Sequence, residues 1–203
     1  MTIIWAKKIQ WKWTLFSDDI ITQGDIKYSA SKHYRRKLRD LPRANHPTLV
    51  ASAWTCRESD LLINMIDKAL GETWWDKEYT SLQLLDLIQE TLVSWCKTLK
   101  EVSEDNPQFS LFILDTTLQT LYFIEEFTVR ILSDNVECVC WSWQGLFYKF
   151  YDRIDNLPED EKFRKAIIEA AVFDDWCWVP VYETNGEDFY TYDEDWKIVA
   201  EIH

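Results

Sequence analysis

Apolar positions along this chain change their period in blocks. Thr2-Ile3-Ile4-Trp5-Ala6-Lys7 and residues 11 to 17 are rich in Ile, Trp, Thr and Phe on both alternate faces, which predicts two strands in a sheet covered on both sides. The connection Lys8-Ile9-Gln10 holds no Gly, Asn or Asp, so the expected hairpin rests on strand pairing more than on turn chemistry. Gly24-Asp25 reads as a turn into a short strand from Ile26 to Ala30. Leu49, Val50, Ala51 and Ala53 make a continuous apolar run, so Thr48 to Trp54 reads as a buried strand.

The spacing then lengthens to three and four. Leu61, Leu62, Met65, Ile66 and Ala69 form one stripe of a helix over Glu58 to Leu70, with Gly71 as its expected stop. Leu82, Leu85, Ile88, Leu92, Trp95 and Leu99 predict a second helix, capped by Thr80 or Ser81 and finished before Asn106-Pro107. Strand patterns return at Phe109 to Leu114 and Thr120 to Phe127, about Asp115-Thr116-Thr117-Leu118, and again at Val136 to Trp141. Gln144 to Ile154 and Pro158 to Val172 read as helices, the second with Glu159, Asp160 and Glu161 at its positive end. Pro180 to Glu183 and Trp196 to Ile202 close the chain as strands about Asn185-Gly186. Strands arrive in groups rather than alternating with helices. This predicts an α+β four-layer α-β-β-α sandwich over a single domain, residues 1–203, rather than a doubly wound parallel sheet.

Composition narrows the function classes. A chain of 203 residues with 47% hydrophobic content builds a core without disulfide or metal staples. Twelve Trp stand against 4 Gly, and rings of that size either all pack in the core or lie in part at interfaces or in grooves. A net charge of −13 opposes nucleic acid and anionic membrane and leaves basic partners open; much of the acidity lies near the end, as a solvated surface would. The one basic cluster, Lys32, His33, Arg35, Arg36, Lys37, Arg39 and Arg43, reads as a solvated loop or as a salt-bridge patch for another subunit or partner. Five cysteines without Cys-x-x-Cys, and three scattered histidines, predict buried free thiols and neither metal nor cofactor. With no signal peptide and no apolar run near 18 residues, a cytoplasmic protein is expected.

Candidate chemistry sits at the start. Thr2 and Asp18 are each eight residues from Gln10, so a hairpin folded about Gln10 sets a hydroxyl opposite a carboxylate. Removal of Met1 would add a free α-amine to Thr2, and one residue would then supply nucleophile and base. Ser17-Asp18-Asp19, Thr22-Gln23-Gly24-Asp25-Ile26, Ser31-Lys32-His33-Tyr34-Arg35 and Thr48 to Ala53 before an apolar helix together resemble the proteasome β-subunit family, which includes the peptidase rings of bacterial ATP-dependent proteases.

That resemblance implies an N-terminal nucleophile hydrolase with Thr2 as nucleophile and Asp18 as its neighbouring carboxylate. The family's lysine falls near residues 33 to 34, where this chain has His33 and Tyr34, so Lys32 is the candidate if the loop shifts by a residue or two. Ser142, within Trp141-Ser142-Trp143, matches the serine of the family's Gly-Ser-Gly turn, with both glycines replaced by Trp. Ser52-Ala53-Trp54-Thr55 stands where a glycine-rich turn offers an oxyanion its backbone amide. The expected function is a threonine-type hydrolase of peptide or amide bonds, degenerate at its site, self-assembling as a homo-oligomer, a ring among the options, with a protein partner such as an unfoldase. The other reading is a non-catalytic acidic, Trp-rich interaction protein of scaffold, immunity or inhibitor type.

Overall fold

A computed structural model describes residues 4–23, 26–29, 37–54, 56–74, 77–102, 109–125, 127–134, 138–140, 144–173, 177 and 179–202. The chain divides into two compact units, Met1–Leu38 with Glu137–His203, and Arg39–Val136. It is an α+β protein: two antiparallel sheets and four helices are described, beside one separate two-stranded ribbon.

In the first unit, β1 (Ile4–Ile9), β2 (Lys12–Ser17), β10 (Cys138–Cys140), β11 (Val181–Thr184), β12 (Phe189–Tyr192) and β13 (Ile198–Ile202) form a six-stranded sheet in the order β10-β1-β2-β11-β12-β13. β3 (Ile20–Gln23) and β4 (Ile26–Ser29) pair only with each other among the described strands. One sheet face, carrying Trp5, Ile9, Phe16 and Val181, packs on Phe147 of α3 (Gln144–Tyr151) and on Phe163, Ile167 and Ala171 of α4 (Glu159–Phe173). The Trp5 ring lies 4.1 Å from that of Phe147 and 5.6 Å from that of Phe163, so two helices are keyed to one indole. The alternating side chains Ile4, Ala6, Trp13 and Leu15 are buried too, as the two-faced apolar pattern predicts. Lys7 shares the helix-covered face; its stem is buried and its ammonium reaches Glu159 at 3.1 Å while lying 4.3 Å over the Phe163 ring.

The opening hairpin is centred differently from its expected arithmetic. Ile4 pairs with Ser17 and Ile9 with Lys12, so the turn is Gln10-Trp11 and the axis falls between them, not on Gln10. Both turn residues take positive φ, 48° and 71°, the two-residue geometry whose twist matches that of the strands. The slip of one residue breaks the count that set Thr2 opposite Asp18; Thr2 itself lies outside the described residues. Trp11 is 87% exposed in a conformation that costs a side-chain-bearing residue about 1–2 kcal/mol. Trp11→Gly is therefore expected to raise stability by roughly 0.5–1 kcal/mol after the added chain entropy of glycine, read as a higher urea midpoint at unchanged m-value.

In the second unit, β5 (Leu38–Asp40), β6 (Thr48–Trp54), β7 (Phe109–Asp115), β8 (Thr120–Glu125) and β9 (Thr128–Ile131) form a five-stranded sheet in sequential order. α1 (Cys56–Trp74) and α2 (Ser81–Val102) bury Leu62, Ile66, Leu84, Ile88, Leu92 and Trp95 against Leu111, Ile113, Tyr122 and Ile124. Thr80 and Gln83 make a reciprocal cap at the start of α2: the Thr80 amide donates to Gln83 Oε1 at 2.9 Å and the Gln83 amide to Thr80 Oγ1 at 3.3 Å. Two expectations change. Leu82 is 67% exposed and Leu84 is the buried member of the stripe. α1 does not stop at Gly71 but runs to Trp74; a Cβ at Gly71 would meet Arg43 Cβ at 3.0 Å, so this glycine admits a close neighbour rather than ending a helix. No helix of the described residues is long and apolar enough to cross a membrane.

Candidate functional site

The end of β2 gathers polar groups that its strand neighbours lack. After Ser17 the backbone bends, with the Ile20 amide donating to Asp18 Oδ2 at 3.4 Å, and β3 begins. The bend leaves two consecutive carboxylates buried, Asp18 at 1% exposure and Asp19 at 3%. Burying a carboxylate is costly unless a cation or donors meet it. Lys37, one residue before β5, meets Asp18: its Nζ donates to Oδ1 at 2.5 Å, with side-chain exposures of 6% and 1%. Asp19 Oδ1 accepts from the Tyr182 hydroxyl at 2.9 Å, and Tyr182 is carried there by β11, where it lies opposite Ser17. Ser17 Oγ is buried and makes no hydrogen bond among the described residues. One strand end thus combines a fixed ammonium, two carboxylates, a phenol and a hydroxyl.

An ammonium fixed by a buried carboxylate is oriented and kept out of bulk water, so its charge acts on a neighbouring oxygen with little reorganisation. It suits a role beside a nucleophile better than the role of nucleophile, because its electron pair is taken up by a proton. Of the four residues expected from the sequence, Asp18 is placed; Thr2, Lys32 and Ser142 lie outside the described residues, as do Trp141, Trp143 and the Trp54 side chain. Lys37 was not singled out. The available signal was its place in the same basic cluster, and the ungapped count pointed elsewhere.

The described members of that cluster are engaged within the chain. Lys37 holds Asp18, Arg39 Nη2 reaches Asp60 at 2.5 Å, and Arg43 Nε lies 3.6 Å from Asp67 Oδ2 with its side chain 56% exposed. Lys32, His33, Arg35 and Arg36 lie outside the described residues. Of the described cysteines, Cys96 is half-buried and Cys177 buried. Among the described residues no group of three or more His, Cys, Asp or Glu side chains is arranged to hold a metal ion.

No protein-family model matches the sequence, and no curated protein does. Solved structures do match in fold. The chain superposes on eukaryotic HslV from Trypanosoma brucei with a TM-score of 0.60 and 14% identity, over 90% of this chain and 97% of that one. It superposes on BPH from Thiobacillus denitrificans, in complex with epoxomicin, with a TM-score of 0.62 and 16% identity, over 91% and 97%. Anbu, an ancestral beta-subunit from Yersinia bercovieri, gives a TM-score of 0.65 at 12% identity, over 98% of this chain and 85% of that one. The fold is that of the proteasome β-subunit-like N-terminal nucleophile proteins, in a divergent sequence.

Proposed function

We infer that this chain, which shares the fold of HslV and Anbu, is an N-terminal threonine hydrolase of peptide or amide bonds whose working lysine is Lys37. The observation that carries the reading is the buried Asp18–Lys37 pair at the end of β2. Asp18 is the carboxylate that the proteasome resemblance singles out, and a lysine seated on it supplies the element that the ungapped count lacks. The shift from residues 33–34 to Lys37 needs a loop three or four residues longer than the family count, and loops tolerate such insertions.

In this reading Met1 is removed and the Thr2 hydroxyl attacks the substrate carbonyl carbon. Its proton passes to the α-amine and on to the departing amine product, leaving an ester on Thr2 that water then hydrolyses. In the same reading the Lys37 ammonium, oriented by Asp18, acts on the Thr2 oxygen through its positive charge and favours loss of its proton. Ser142 has the role of orienting the α-amine in this reading. Copies of the chain assemble as a homo-oligomer. The substitution of the family's glycines by Trp54, Trp141 and Trp143 favours a second reading, a non-catalytic scaffold whose groove is filled by indole rings.

Intact-mass measurement of soluble protein separates the two. Hydrolase function predicts a chain lacking Met1 and a single covalent adduct, mapped to Thr2, after incubation with an electrophilic peptide. A retained Met1, or a free Thr2 that no electrophile labels, overturns the hydrolase reading.

A further inference from the structure

His46 follows Lys37 by nine residues, in the second unit, and both of its ring nitrogens are engaged by carboxylates. Nδ1 is 2.9 Å from Asp115 Oδ2 and Nε2 is 2.8 Å from Glu78 Oε2, while the ring packs 4.2 Å from that of Tyr79. Two carboxylate acceptors are both met only when both nitrogens donate, that is, when the ring is an imidazolium. The two anions differ. Asp115, the last residue of β7, is fully buried and also accepts the Leu118 amide at 2.8 Å; Glu78, in the α1–α2 connection, has a side chain 85% exposed. The surrounding bonds converge on the same point. Asn45 Nδ2 donates to the Lys77 carbonyl at 3.3 Å, and Thr116 donates to the Pro47 carbonyl through its amide at 3.0 Å and its hydroxyl at 2.9 Å. Three connections, 41–47, 77–80 and 115–120, therefore meet around one ring.

We propose that His46 is a protonation-controlled clip that fastens the α1–α2 connection to the end of β7 and releases it when the ring becomes neutral. A neutral imidazole keeps one proton. The buried Asp115 retains the Nδ1 proton, since losing its partner would strand an anion away from water. Nε2 then turns a lone pair toward the Glu78 carboxylate, and Glu78, already exposed, moves into solvent.

The titratable groups facing the ring are Asp115 from β7 and Glu78 and Tyr79 from the connection, with Tyr122 of β8 coupled to Asp115 and Tyr79. Burial pushes both phenols well above their ordinary range, so neither changes charge near neutrality. Burial alone would lower the His46 value, but the hydrogen bonds and charges of Glu78 and Asp115 outweigh it and hold it above 6.5. Because the folded value is the raised one, the clip's contribution is complete below about pH 6.5 and is lost as pH rises through the folded value.

The test is a proton NMR titration of the whole protein, the His46 signal assigned with His46→Gln, together with amide exchange of residues 77–80 corrected for intrinsic pH dependence. The expected results are a midpoint above 6.5, lowered in Glu78→Gln, and exchange at 77–80 that quickens on the order of tenfold across that midpoint. Glu78→Gln keeps the ring and Asp115 in place, so it remains informative if His46→Gln fails to fold. A midpoint at or below 6.5, or exchange at 77–80 that ignores the titration, overturns the proposal.

Discussion

Lys37→Met is expected to slow covalent capture of an electrophilic peptide by on the order of 10²–10³-fold and to cost about 3–5 kcal/mol of stability. Two separate causes produce the two effects. The stability loss comes from Asp18, which at 1% exposure is left with a buried charge and no ammonium at 2.5 Å. For a chain of 203 residues it corresponds to a fall in melting temperature of roughly 6–20 °C. The rate loss, in the hydrolase reading, comes from the missing positive charge of Lys37. A double variant distinguishes them: Lys37→Met with Asp18→Leu removes both charges, replaces them with apolar groups, and is expected to regain most of the stability while capture stays slow. Lys37→Arg keeps the charge but not the point geometry of an ammonium, so it should hold the fold and recover only part of the rate. Capture at the native rate by folded Lys37→Met would remove Lys37 from the chemistry and leave it a structural cation.

How far the sequence carries the site depends on which kind of information each residue needed. The strand and helix blocks were legible because period and burial face are local: the all-apolar faces of β1 and β2, the capped start of α2, and the hairpin of β7 and β8 about Asp115 all follow from neighbours in sequence. The turn at Gln10-Trp11 was not, because its two positive-φ residues carry none of the Asn or Gly that announces such a turn. β12 was missed because Phe189-Tyr190-Thr191-Tyr192 sits within an acidic run that reads as a solvated surface, whereas the strand is held by pairing with β11 and β13. Gly71 misled because a helix stop and a close contact both call for glycine, and only the position of Arg43 decides between them. Lys37 shows the general limit. Asp18 was singled out by the family resemblance, but its cation arrives through a loop, and loop length has no period from which a register can be counted.

Arg164→Met should be nearly as damaging to the fold as loss of Lys37, about 3–5 kcal/mol, while leaving the chemistry of the folded molecules intact. Arg164 on α4 forks onto Glu183 of β11: Nε donates to Oε2 at 2.8 Å and to Oε1 at 3.1 Å, and Nη2 donates to Oε1 at 2.9 Å. The Tyr192 hydroxyl adds a fourth bond, to Oε2 at 2.7 Å, and Glu183 is only 3% exposed. Burial alone would lower the Arg164 value, but Glu183 outweighs it and holds it above its ordinary range; Tyr192 is raised by burial first and by the Glu183 charge after it. The guanidinium and the neutral phenol therefore keep their states across neutral pH. Tyr192→Phe removes a single bond and leaves the fork, so its expected cost is smaller, about 1–2 kcal/mol. The staple also bears on the site at one remove. Glu183 sits beside Phe16 in the β11–β2 register, and its neighbour Tyr182 sits beside Ser17 and reaches Asp19. If the register is set by the ladder between the strands, Arg164→Met measured well below its melting temperature captures the electrophile within about threefold of the native rate, since lost stability changes how many molecules are folded rather than what the folded ones do. A larger loss of rate would mean that α4, through this fork, holds β11 and Tyr182 in the place the Asp18–Lys37 pair requires.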